Sequence, residues 1–283
     1  MVYLITGILA FMFTLSLLMR SPLTQTILAR IATTYLSNKL NTEIKIERLE
    51  ITGFLSIELT NLMVKDQQQD TMAYAGYLGI SYASRFSNID VKQLSKLTIR
   101  DADVRIKKLQ DSDNSNLQFM LDFFQSGQPA EPDTAIAAKE VTGPEEKPKL
   151  LVRLDKIIVS NSRFRFENPN KEKKDVGVDF ADIGIQGLTV NAQDLVFDRD
   201  TFFVHVNQVS LYEKSGFVVD SLACDFTLSP VLLQARNLLV RTPLNDLDLD
   251  FSFNYDSMKD FQDFINKVNI TTSIRPSAVS YTH

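Results

Sequence analysis

The sequence predicts a mainly β protein led by two helices, the first spanning a membrane and the second amphipathic. Three observations carry that prediction. Val2 to Met19 contains no charged residue, and such a run of about 18 residues is near the lower end of what crosses a hydrocarbon core. Apolar residues then recur at helical spacing as far as Leu40. Beyond Thr42 the period drops to two and stays there for most of the chain.

Residues 1–20 form the anchor element, closed by Arg20. A cleaved signal peptide would have a shorter apolar region ending in small residues. Leu17, Leu18 and Met19 are bulky, which favours an uncleaved span. No Lys or Arg precedes the run, whereas Arg20, Arg30 and Lys39 follow it, so flanking charge taken alone would keep the body cytoplasmic. Residues 21–41 form the second helix, with Ile27, Leu28, Ile31, Tyr35 and Leu36 as its apolar positions. That stripe either caps the end of a sheet or rests among lipid headgroups.

Residues 42–124 make a first β-rich segment. Glu43 to Ile51 and Phe54 to Val64 read as strands joined at Thr52-Gly53, where glycine supplies the turn. Met72 to Tyr82 follows, and Leu97, Ile99, Val104 and Ile106 flank a small polar turn at Asp101-Ala102-Asp103. Leu117, Met120, Leu121 and Phe124 share a helical face. Residues 125–149 contain Pro129, Pro132, Pro144 and Pro148 with Glu and Ala, a composition too poor in apolar surface to order itself, and read as a flexible insertion.

Residues 150–283 make a second β-rich segment, continuous with the first. Its strands include Leu150 to Leu154, Ile157 to Val159, Val176 to Phe180, Phe202 to Val206, Phe217 to Leu228, Leu238 to Val240 and Leu247 to Tyr255. Met258, Phe261, Ile265 and Val268 share a short helical face. Leu97–Ile106 and Ile157–Phe166 align without gaps, which suggests a repeated unit in a sheet that grows by stacking.

A chain of 283 residues that is 44% hydrophobic can bury a sizeable core. Its 30 Lys+Arg against 35 Asp+Glu leave a net charge of -5, which argues against nucleic acid as a partner. Cys224 is the single cysteine, in line with Leu222 and Phe226, and reads as a buried thiol. With only His205 and His283, a Cys/His metal site or a histidine-based triad lacks parts. No G-x-S-x-G, P-loop, H-E-x-x-H or C-x-x-C motif is present, so the reading is non-enzymatic, without cofactor or metal.

Asp246, Asp248 and Asp250 fall on one face of a strand. A solvated face explains them better than a cation site. Leu247, Leu249, Phe251, Phe253 and Tyr255 take the opposite face and are the candidate lining of a lipid groove. In a closed sandwich such faces cover each other, whereas in an elongated, curled sheet they would line a groove for acyl chains.

The order of features resembles the N-terminal region of AsmA-like proteins, particularly the TamB type. The residues that carry the likeness are Leu23–Leu36, Thr42–Ile46, Ile51–Asp66, Asp101–Ile106 and Ser257–Val268. The resemblance implies an inner-membrane anchor and a periplasmic body of elongated, curved, largely antiparallel β-sheet with a hydrophobic groove. It also implies a role in outer-membrane biogenesis, binding or conducting phospholipid between the inner and outer membranes. The alternative role is a scaffold for outer-membrane protein insertion that docks partners by β-augmentation. Thr272 to His283 reads as the opening of a further strand, so the chain is expected to be incomplete at its C-terminus. An outer-membrane assembly protein would then be the partner of a region beyond it.

Overall fold

Alternation through the body of the chain becomes one open, mostly antiparallel sheet of twelve strands in the computed structural model. The structure describes residues 6–7, 14, 21–52, 56–82, 91–112, 114–126, 151–174, 177–198, 200–257, 260 and 267–275. Most of Val2–Met19 lies outside that set, and among the described residues no helix is long and apolar enough to cross a membrane. Residues 127–150, the glycine turn at 53–55 and most of the short helix expected near Phe261 also lie outside it.

Helix α1, Pro22–Leu40, starts with proline in its first turn, where the fixed φ suits a helix and no amide partner is lost. It stops at Asn41, which turns left-handed at φ 49 and returns its amide to the Ser37 carbonyl. Strands β1 (Ile44–Lys45) and β2 (Arg48–Thr52) both pair with β3 (Ser56–Lys65). Then come β4 (Thr71–Tyr82), β5 (Val91–Lys107) and helix α2 (Gln118–Ser126). The remainder is β6 (Leu151–Glu167), β7 (Asp182–Asp198), β8 (Thr201–Glu213), β9 (Val218–Leu228), β10 (Leu232–Arg241), β11 (Asp246–Asn254) and β12 (Asn269–Ile274). From β3 onward spatial order follows chain order.

One junction breaks the antiparallel rule. β5 and β6 pair in parallel, with Leu97 opposite Ile157 and Ile106 opposite Phe166. The two similar segments are therefore lateral neighbours, matched residue for residue. Neither contains the small polar turn expected at Asp101-Ala102-Asp103, because each lies in one unbroken strand of 17 residues. What looks like turn chemistry is a single left-handed residue, Asp101 at φ 52 and Asn161 at φ 48. Asp and Asn tolerate this conformation better than other residues with side chains.

The kink continues sideways. Asn61, at φ 50, stands opposite Gly76, and Gly76 stands opposite Asp101. A Cβ on Gly76 would come within 3.1 Å of the Asp101 Cβ, so any side chain there would push Asp101 aside by a few tenths of an ångström. Each kink shifts the alternation by one position. Leu97 and Ile99 lie on the apolar face before it, and Ala102, Val104 and Ile106 lie on the same face after it. Asp194 and Asn237 are also left-handed, in β7 and β10, beside register shifts in those strands.

Val176 to Phe180 is not a strand in its described part. Residues 177–181 are irregular, and the Asp179 carboxylate accepts the amides of Lys174 and Ala181, which closes a loop instead. Apolar packing is densest at one end of the sheet, where Leu40, Ile44, Val64, Met72 and Phe119 form a buried cluster. Leu36, Leu117, Met120 and Phe123 pack around it. Helix α2 thus turns Phe119 and Met120 inward, while Leu121, expected on its apolar face, is 42% exposed.

Candidate functional site: an apolar face across the sheet

Pairing register places aliphatic side chains in rows that cross the strands. One row runs from Leu49 through Leu59, Leu78 and Ile99 to Val159 across the parallel junction. It goes on through Val190, Val209, Leu222 and Val240 to Leu247 in β11, with no polar member. At roughly 4.8 Å per strand, such a row extends on the order of 40 Å. A parallel row holds Ile51, Ile57, Ile80, Leu97, Ile157, Ala192, Val206 and Cys224.

Burial along this face has a telling distribution. Ala192 and Ala235 are each 2% exposed, and Leu49, Val204 and Leu238 are also buried, whereas Ile157, Val190, Phe197, Phe226 and Phe251 remain half-buried. Neighbours within a sheet can shield an alanine, but only a second layer fully covers a phenylalanine. Among the described residues, no large side chain is completely enclosed. The second cluster, Cys224, Ala235 and Leu238 ringed by Val206, Leu222, Phe226, Val240, Leu249 and Phe251, belongs to this face. Burial raises the Cys224 thiol pKa, as expected for a packing residue.

The sequence-derived lining residues divide. Leu247, Leu249, Phe251 and Phe253 lie along β11 on the apolar face, opposite Val240, Leu238, Ala235 and Leu233 of β10. The Phe251 and Phe253 rings are 5.3 Å apart. Tyr255 lies just beyond the strand and is 5% exposed, with its hydroxyl donating to the Ser229 carbonyl at 2.8 Å. It fastens the β9–β10 turn.

The opposite face is polar and ion-paired. Arg275 donates to Asp248 at 2.6 Å and Asp250 at 2.7 Å, and Asp246 faces Arg241 at 3.8 Å. The carboxylate ladder is thus held by arginines, and no cluster of His, Cys, Asp and Glu suited to a metal ion occurs among the described residues. Arg275, together with the Asn237 amide, holds Asp250 below its usual pKa. His205 is partly exposed and pairs through Nδ1 with Asp225 at 2.5 Å, while the Asn237 amide side chain donates to the second Asp225 oxygen. These two contacts lower the Asp225 pKa.

A buried polar pin at the capped end escaped sequence reasoning. Asp66, 5% exposed, accepts the amides of Gln68 and Asp70 and the side-chain amide of Asn116. Asn116 also donates to the Arg105 carbonyl and accepts the Lys107 amide, and Thr42 donates to the Lys65 carbonyl. The β3–β4 turn, the end of β5 and the approach to α2 are thereby locked together. The polar run Asp66–Asp70 signals a turn, but nothing local to it points to Asn116.

No protein-family model matches the chain, and comparison with curated proteins finds no match either.

Proposed function

We propose that the protein is a non-enzymatic, membrane-anchored component of the cell envelope, whose sheet binds or conducts phospholipid along its apolar face. The unbroken aliphatic row from Leu49 to Leu247, half-buried at every position between those two ends, is the observation that supports this reading. Acyl chains laid along that row would leave water at about 0.8 kcal/mol per CH₂, while headgroups stay wet at the open side. No side chain needs to perform chemistry. Curvature of the sheet into a groove, with Leu247, Leu249, Phe251, Phe253 and Tyr255 among its lining, belongs to the proposal. So do kinship with AsmA-like proteins of the TamB type, attachment through Val2–Met19 to the inner membrane, and a periplasmic body serving outer-membrane biogenesis.

A photo-crosslinking residue at Phe251 should capture phospholipid in cells, whereas one at Asp220, exposed on the other face of β9, should not. Equal labelling at the two positions would sink the proposal.

A second reading is favoured by the sheet's far edge. β12 pairs with β11, is exposed along its length, and carries Ile270 and Ile274 at 56% and 69% exposure. Such an edge suits β-augmentation by a partner strand. Co-purification of a partner protein without bound lipid would select this scaffold role.

A further inference from the structure

Helix α1 carries two apolar faces. One meets the end of the sheet, where Ala29 and Leu40 are 5% and 3% exposed and Leu36 packs on the buried cluster. The other is bare. Leu23, Ile27, Ile31 and Tyr35, at intervals of four, are 72%, 50%, 60% and 58% exposed. The adjacent exposed column, Thr26, Arg30, Thr34 and Asn38, contains no carboxylate.

Charge distinguishes this helix from the rest of the chain. From Pro22 to Leu40 there is no Asp or Glu, and the only charged residues are Arg30 and Lys39, in a protein of net charge -5. The Lys39 ammonium lies 6.0 Å from the Tyr35 ring centroid, at the end of the ridge. In sequence the helix directly follows the uncharged run Val2–Met19, through Arg20 and Ser21.

We infer that α1 lies in the plane of an anionic bilayer surface, its Leu23–Ile27–Ile31–Tyr35 ridge at the boundary of headgroups and acyl chains, while its other face seats the sheet. An exposed apolar ridge alone would accept a protein partner equally well. Cations without acids and direct continuation from an uncharged run select a lipid surface. This inference goes beyond the proposed lipid path and does not require it. It orients the capped end of the sheet toward the membrane.

The test uses the full chain reconstituted in vesicles of phosphatidylethanolamine and phosphatidylglycerol, with spin labels placed singly at Ile27, Ile31 and Asp220. Accessibility to oxygen is compared with accessibility to a water-soluble nickel chelate. At Ile27 and Ile31 the oxygen-to-nickel ratio should exceed that at Asp220 several-fold. Nickel accessibility equal to that at Asp220 places the ridge in water and overturns the inference. Low accessibility to both reagents places it against protein, such as a folded-back Val2–Met19, and overturns it as well. The double substitution Ile27→Glu with Ile31→Glu, at exposed positions, should move a label at Leu23 into water, and an unchanged Leu23 ratio would count against the inference. Lipid capture at Phe251 is scored separately, so the two ideas fail independently.

Discussion

The two ends of the sheet handle apolar surface differently. At the first, helices α1 and α2 converge on Leu40, Ile44, Val64, Met72 and Phe119, and the buried Asp66–Asn116 pin ties the loops beneath them. At the other, from β8 to β11, the aliphatic rows continue, and among the described residues Cys224, Ala235 and Leu238 are ringed by side chains of the sheet itself. The first end is built as a closed core. Among the described residues the second has the register of a core without a second layer over it, so its half-buried side chains contribute less to stability.

Substitutions can break that contrast. Phe119→Ala should have the largest effect, about 3 kcal/mol, because it empties an enclosed site. Chemical denaturation would measure the loss, and one below about 1 kcal/mol would mean the cap is not a core. Asn116→Ala should follow at about 2 kcal/mol, since it strips buried Asp66 of a donor and leaves the Lys107 amide unmatched. At the open end Leu247→Asn should cost under about 1 kcal/mol, because Leu247 is already 42% exposed. The same change should nevertheless reduce lipid capture at Phe251. A large stability loss there would reveal an unrecognised cover over β11.

Acid sharpens the comparison with a smaller effect. Lys45 and Lys65 hold the Glu43 pKa down to about 2, at the capped end. Lys214 and Lys173 lower that of Asp182, and Arg275 lowers that of Asp250. A carboxyl whose folded pKa lies below its unfolded value, near 4, stabilises the fold above that value and ceases to do so as pH falls through the folded one. Melting midpoints followed by circular dichroism should therefore be flat from pH 7 to about 5 and fall below about 4. A midpoint that rises on acidification would refute the assignment.

Much of the sheet was legible because period-two alternation records which face each side chain takes. The kinks were not. Asp101 and Asn161 carry turn chemistry, and only pairing shows that each instead keeps a long strand's apolar side on one face after shifting its phase. Helix α1 was half-read for a related reason, since apolar residues on two sides of a helix blur the stripe that spacing detects. Along β11 the apolar face was readable as far as Phe253, because alternation places residues only while the strand lasts. Tyr255 lies past its end, where its hydroxyl donates to the Ser229 carbonyl. The Asp66–Asn116 pin joins positions fifty residues apart, beyond the reach of any local pattern.

The parallel seam between β5 and β6 has a kinetic meaning. Most ladders in the sheet join consecutive strands linked by a short turn, whereas β5 and β6, though also consecutive, pair residues sixty positions apart, as Ala102 and Ser162 are where the amide donates to the hydroxyl. Closing so long an intervening segment costs on the order of 2 kcal/mol more than closing a hairpin turn, and non-local pairing is slow to form. Pulse-labelled hydrogen exchange should then protect β7–β9 amides before those that bridge β5 and β6. On that expectation folding is the meeting of two locally wound arrays, and the left-handed pair, Asp101 beside Asn161 and hydrogen-bonded to it, marks the row at which they align.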